Sequence, residues 1–221
     1  HLDHEEQVNA LVSDMEKAHY EVRKVRRGER RRNPYPPFTT STLQQDASRQ
    51  LNFSTKRTMA VAQQLYEGID VGNGGETGLI TYMRTDSTSV SETAQKQARE
   101  YVEETLGLEY LPDQAPVYKT ESKSAQEAHE AVRPTSVMNT PKSIKEHLTR
   151  SQYRLYKLIW QRFVASQMAP AVYDTLSVSI GGDGKEHAYL LRASGSSIKF
   201  HGFLKVYDRN GNGKARQAKK D

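Results

Sequence analysis

Two proline positions divide this chain by the period of its apolar residues. Between the block Asn33-Pro34-Tyr35-Pro36-Pro37 and Pro170, apolar side chains recur at helical spacing, and beyond Pro170 they alternate. Proline fixes φ and removes a backbone donor, so neither position continues a helix or a central strand. After Pro170, residues Val172, Asp174, Leu176, Val178 and Ile180 share one face of an extended run, with Thr175, Ser177 and Ser179 on the other. A period of two and a period of 3.6 are incompatible in one segment. The chain therefore reads as a helical body set between strand-forming flanks.

Ahead of the prolines, Val8, Leu11, Val12 and Met15 mark an amphipathic helix over Asp3–Ala18, and a strand then runs from Tyr20 into a basic stretch. Inside the body, helices are expected over Leu43–Leu51, from Ser54 to near Gly68 with Met59, Ala62 and Tyr66 on one side, and over Ser91–Leu106. Another is expected from Ser124, where Ser124-Ala125-Gln126-Glu127 has the form of a capping box, up to Pro134. A long one is expected from Thr140-Pro141, with a break near Ser151, carrying Leu155, Leu158, Ile159, Trp160 and Phe163. Further strands are expected at His187–Arg192 and Ile198–Tyr207. The fold class is α+β, with a mainly helical domain over 37–165 inserted into a strand-rich domain built from 1–36 and 166–221.

The chain of 221 residues carries a net charge of +5 and a sequence pI near 9.2. That balance suits an anionic partner. Arg23 to Arg32 holds seven basic residues against Glu29 alone, which fits either a phosphate-facing surface or a solvated loop. With no cysteine there is no disulfide, thiol catalysis or cysteine zinc site. No apolar run approaches the roughly 18 residues of a membrane helix, so no membrane partner is expected. No leader is visible and the expected location is cytoplasmic; the chain opens on His1 and reads as a segment of a longer polypeptide.

Three tempting motifs fail on spacing. The loop Gly72 to Gly78 follows a helix and is not G-x-G-x-x-G, and no G-x-x-x-x-G-K-[ST] occurs, so no nucleotide-driven motor is inferred. Asp208 to Gly213 begins like a calcium loop, but Lys219 stands where its twelfth-position glutamate belongs, leaving a hairpin turn as the better reading. His129 has no second histidine four residues on, so no metal site is expected in this chain.

Three stretches carry chemistry together. In Gly78-Leu79-Ile80-Thr81-Tyr82-Met83-Arg84-Thr85-Asp86-Ser87, an extended backbone points Tyr82 and Arg84 the same way. A phenol, with a pKa near 10, becomes a nucleophile when its anion is stabilised, and a guanidinium also donates to phosphoryl oxygens. In Ala125-Gln126-Glu127-Ala128-His129-Glu130-Ala131-Val132-Arg133-Pro134, helical spacing places His129 and Arg133 on one face. In Pro37-Phe38-Thr39-Thr40-Ser41-Thr42-Leu43-Gln44-Gln45, hydroxyls gather at a helix start, where they cap the helix or bind phosphate. Each stretch taken singly has a plain structural reading.

In this order the three stretches resemble bacterial DNA topoisomerase I of the type IA family, strongly from Arg30 to Pro170 and more loosely in the flanks. The resemblance implies an ATP-independent isomerase that cuts one DNA strand, forms a 5′-phosphotyrosyl bond and reseals it, relaxing negative supercoils. It implies that Tyr82 is the nucleophile, that Arg84 holds the scissile phosphate and that His129 contacts DNA or assists near the phosphate. Thr81, Asp86 and Arg133 would support them. It implies a toroidal multi-domain fold, with this chain supplying the tyrosine-bearing helical domain and parts of the strand-rich arch. The expected partner is DNA, chiefly single-stranded. The family's Mg2+ site is an acidic D-x-D-x-E cluster in a toprim domain, which this chain lacks, so the chain alone is expected not to cleave DNA. Competing readings are a nucleic-acid-binding module without covalent chemistry and a tyrosine recombinase, whose tyrosine lies near the chain end.

Overall fold

The computed structural model describes residues 4–72, 74–118 and 129–207. In chain order its elements are α1 (Glu5–Lys17), β1 (His19–Arg32), α2 (Thr40–Leu51), α3 (Thr55–Glu67), β2 (Ile69–Asp70), β3 (Glu76–Thr77), α4 (Glu92–Leu106), α5 (Arg150–Ser166), β4 (Ala171–Asp183) and β5 (Ala188–Phe200). The fold is α+β. It divides into two compact units, His1–Arg32 with Ala171–Phe200, and Asn33–Pro170 with His201–Asp221. No described helix is long and apolar enough to cross a membrane.

The first unit is an antiparallel sheet of order β1-β4-β5 with α1 at one end. β1 pairs with β4 from His19↔Asp183 to Arg32↔Ala171, with one irregularity between Val22 and Lys24. The basic stretch is thus strand, and all of β1 is exposed. Asp14 on α1 clasps the β4–β5 turn, accepting the Lys185 N–H at 2.8 Å, the His187 N–H at 3.2 Å and the Tyr189 hydroxyl at 2.7 Å. The two strands expected at His187–Arg192 and Ile198–Tyr207 are instead one strand, β5. Its middle, Ala193-Ser194-Gly195-Ser196-Ser197, shows no alternation, yet its backbone pairs with β4 throughout.

The second unit is built around α5, whose Leu155, Tyr156, Ile159, Phe163 and Val164 are buried against α2 and α3. The long helix begins at Arg150 and not at Thr140-Pro141. Thr149 and Gln152 form a reciprocal capping box there, while Thr140 and Ser143 bond each other in a turn. Trp160 packs edge-on to Tyr101 of α4 with ring centroids 5.5 Å apart. Residues Gly202–Tyr207 form a 3-10 turn on α5, where a strand was expected. Gly202, at φ +50°, reverses the chain so closely that a side chain would meet the Pro170 carbonyl. The units therefore part at 32/33 and 170/171, and 201–207 return to the helical unit.

The proline block is fixed by one cation. Arg162 donates to the Pro36 carbonyl at 2.6 Å and to Asp46 at 3.1 Å, and lies over the rings of Tyr35 and Phe38. This anchors the extended chain entering α2 and buries Phe38 completely.

Candidate active site

The region around Tyr82 is assembled by extended chain, not by helix. Phe38 bridges Val132, whose N–H donates to the Phe38 carbonyl at 2.8 Å. On the other side of that segment, Ile80 bridges Pro134, and Thr135 N–H donates to the Leu79 carbonyl at 3.0 Å. The described parts of all three motif stretches are therefore joined through their main chains.

This overturns one expectation. Residues 129–134 are extended and do not place His129 and Arg133 on one helical face. Pro134 and the pairing with Phe38 and Ile80 hold this segment in the β region. The Ser124–Glu127 capping box lies outside the described residues, as does the 208–213 turn. Arg133 is turned into the protein, paired with Glu130 at 2.6 Å and donating to the Pro134 carbonyl at 3.0 Å. Glu130 also accepts the Ser91 N–H at 2.8 Å, which ties the segment to the start of α4.

Tyr82 is held from both sides. Before it, the Thr81 hydroxyl donates to the Ala131 carbonyl at 2.7 Å and accepts the Arg133 N–H at 3.0 Å. After it, the Thr40 hydroxyl donates to the Met83 carbonyl at 2.7 Å and accepts the Thr85 N–H at 2.8 Å. Ile80 and Met83 are buried at 1% exposure each, and Tyr82 lies exposed between them. Tyr82 is 46% exposed and packs edge-on to Tyr66, centroids 5.3 Å apart.

Tyr82, Arg84 and His129 line one open cleft of about 380 Å³ with Tyr66, Thr81, Thr85 and Glu130. Arg84 and His129 are exposed and form no ion pair among the described residues. The cleft's one carboxylate, Glu130, is already neutralised by Arg133. The cleft thus presents a phenol beside uncommitted cationic and imidazole groups, a surface suited to an anionic oxygen. Asp86 is exposed but does not line the cleft, and neither does Arg133.

A family model described as DNA topoisomerase matches residues 1–220. The chain belongs to the DNA topoisomerase family. Among solved structures, full-length topoisomerase I from Thermotoga maritima matches with a TM-score of 0.77 and 35% identity over 96% of this chain. The match covers 34% of that protein's chain, so this chain spans about a third of its relative.

Topoisomerases of the type IA class use Mg2+. Among the described residues no group of three His, Asp or Glu side chains is placed to hold a metal. Glu130 is consumed by Arg133 and Ser91, so the residues of this cleft do not fit a metal centre.

Sequence reasoning missed three residues of the cleft, Tyr66, Thr85 and Glu130. Tyr66 was placed with Met59 and Ala62 on a helical stripe, whereas the buried stripe of α3 is Thr58, Val61, Ala62 and Leu65, leaving Tyr66 outside. Glu130 gave a signal in its charge three residues before Arg133, but the pair forms without a helix. Conversely, the hydroxyls of Pro37 to Gln45 serve the protein itself: Thr39 caps α2 and Thr40 clamps the Tyr82 segment.

Proposed function

We propose that this chain is the tyrosine-bearing part of a type IA topoisomerase that breaks and rejoins one DNA strand without ATP, relaxing negative supercoils. The observation that carries this reading is the exposure of Tyr82 in a cleft shared with Arg84 and His129, on a segment bonded at both ends. In the proposed step the Tyr82 phenolic oxygen attacks the scissile phosphorus, forming a 5′-phosphotyrosyl bond. The bond from phosphorus to the 3′ oxygen breaks, the phenol loses its proton and the 3′ oxygen gains one. Resealing is the reverse, so the bond energy is retained and no nucleotide is consumed. Arg84 donates to the non-bridging oxygens as charge develops. His129 contacts the DNA or moves a proton beside the phosphate. Thr81 positions the nucleophile through the main chain. Asp86 lies at the margin of this scheme. Arg133 acts only by fixing Glu130 and the 129–134 segment.

In this reading Mg2+ and its toprim domain belong to other parts of the polypeptide, the chain alone does not cleave DNA, and the protein works on single-stranded DNA in the cytoplasm. The test uses the complete polypeptide on a negatively supercoiled plasmid with Mg2+ and no ATP, with covalent complexes trapped by denaturation. Tyr82→Phe is expected to form no adduct and relax nothing. An adduct in that variant would remove Tyr82 as the nucleophile.

A further inference from the structure

The sheet of the first unit sorts its side chains by face. Residues paired directly across an antiparallel ladder project to the same side. Four rows follow from the register: Lys24–Ser179–Arg192, Arg26–Ser177–Ser194, Gly28–Thr175–Ser196 and Arg30–Tyr173–Ile198. They carry four cations, five hydroxyls from serine and threonine, and no carboxylate. Alongside these four rows the acids lie on the opposite side, where Glu29 and Asp174 face each other and Glu29 takes Lys199; Glu21 and Asp183 share the face only in the rows beyond Lys24, where Arg23 pairs with both. All of β1 and the β5 positions in these rows are exposed. At the centre, Gly28 offers no side chain, and a depression of about 540 Å³ opens there, bordered by Arg26, Arg30, Thr175 and Ser177 among others. Arg30 is steadied over the Tyr173 ring at 5.0 Å.

We propose that this face is a second DNA-contacting surface, binding the phosphates of one nucleic-acid strand laid along β1. Its dimensions select the occupant. From Lys24 to Arg30 the strand runs about 20 Å, and three strands give a width of about 10 Å, narrower than a duplex. Lys24 and Arg26 stand roughly 6.7 Å apart along the strand, comparable to successive phosphates of an extended strand, and Arg30 follows about 13 Å beyond Arg26, about two such steps. Hydroxyls in the adjoining strands donate to phosphate oxygens without charge. A face built to be merely soluble mixes charges of both signs, whereas this one excludes acids from four consecutive rows. The proposal rests on the reading of the partner as DNA, but not on Tyr82 as nucleophile.

The experiment measures binding of a labelled oligothymidylate to the 221-residue chain across a salt series. Arg26→Ala with Arg30→Ala is expected to lower the slope of log affinity against log salt by about 1.4, at about 0.7 per single-strand phosphate contact. Arg26→Lys with Arg30→Lys, which keeps both charges, retains the slope and shows that the sheet still folds. Gly28→Glu, whose Cβ meets Thr175 Oγ1 at an ordinary 3.4 Å, places a carboxylate mid-face and weakens binding further. Lys142→Ala with Lys185→Ala, of equal charge change, leaves the slope nearly unchanged. This readout is binding alone, so it stands or falls independently of the adduct assay with Tyr82→Phe on the complete polypeptide. Equal slopes for the two alanine pairs would overturn the proposal. So would loss of anionic-vesicle binding, with oligonucleotide binding intact, in the Arg26/Arg30 alanine variant.

Discussion

Replacing Thr81 by valine keeps the volume and shape of the side chain and removes only its hydroxyl. That hydroxyl donates to the Ala131 carbonyl at 2.7 Å and accepts the Arg133 N–H at 3.0 Å. Ala131 has no exposed surface, so its carbonyl gains no water when the donor goes. A net hydrogen bond contributes about 1 kcal/mol, and stranding a buried partner costs about 1–3 kcal/mol. Two stranded groups, one of them deeply buried, put Thr81→Val at about 2–4 kcal/mol. Thr81→Ser keeps both bonds and loses one methyl, about 1 kcal/mol. The assay is urea unfolding followed by fluorescence of Trp160, the chain's one tryptophan, 8% exposed within the helical unit. With a slope of about 2 kcal/mol/M, the valine midpoint falls by roughly 1–2 M and the serine midpoint by about half a molar, at unchanged slope. A valine variant within about 0.5 kcal/mol of wild type, or a serine variant less stable than the valine one, would show that the hydroxyl does not hold this segment.

The same probe tests the clamp on the other side of Tyr82: Thr40→Val strands the Met83 carbonyl and the Thr85 N–H and is expected to cost about 2–3 kcal/mol. Asp46→Ala leaves Arg162, whose side chain is 12% exposed, without its carboxylate, and should cost about 3 kcal/mol, with part recovered when Arg162→Met is added. Tyr66→Ala removes the edge contact to Tyr82 and should reduce stability by about 1 kcal/mol while broadening the Tyr82 ring resonances. The Asp14 carboxyl is held below its ordinary 3.8 chiefly by the Tyr189 hydroxyl, with the Glu186, Lys185 and His187 N–H groups adding to it against desolvation. Because the folded value is the lower one, this clasp is complete above 3.8 and is lost as pH falls through the folded value. Amide resonances of residues 185–187 should titrate with a midpoint below 3.8 in wild type and not in Asp14→Asn.

The sequence by itself determined the alternation of a helical body with strand-forming flanks. It also determined the sharing of faces along β4, because strand alternation fixes which side chains project together. Tyr82 and Arg84 both lie exposed, but alternation alone does not account for it, because Ile80, two residues before Tyr82, is buried. The hydroxyl cluster before α2 declared its cap. What only the tertiary structure decided is where local preference was overridden. Residues 129–134 carry helical spacing, yet pairing with Phe38 and Ile80 on two sides satisfies their backbone as extended chain. That choice turns Arg133 inward to Glu130 and leaves His129 at the cleft. The start of α5 moved from Thr140 to Arg150 because the Thr149–Gln152 box caps the helix there. The middle of β5 has no pattern of its own and takes its form from β4. The basic run of β1 left strand and loop open, since charge sets solubility and partners but not backbone conformation. Only the register with β4 and β5 revealed that Lys24, Arg26 and Arg30 share one face with a run of hydroxyls, while Glu29 lies on the other beside Arg27 and Arg31.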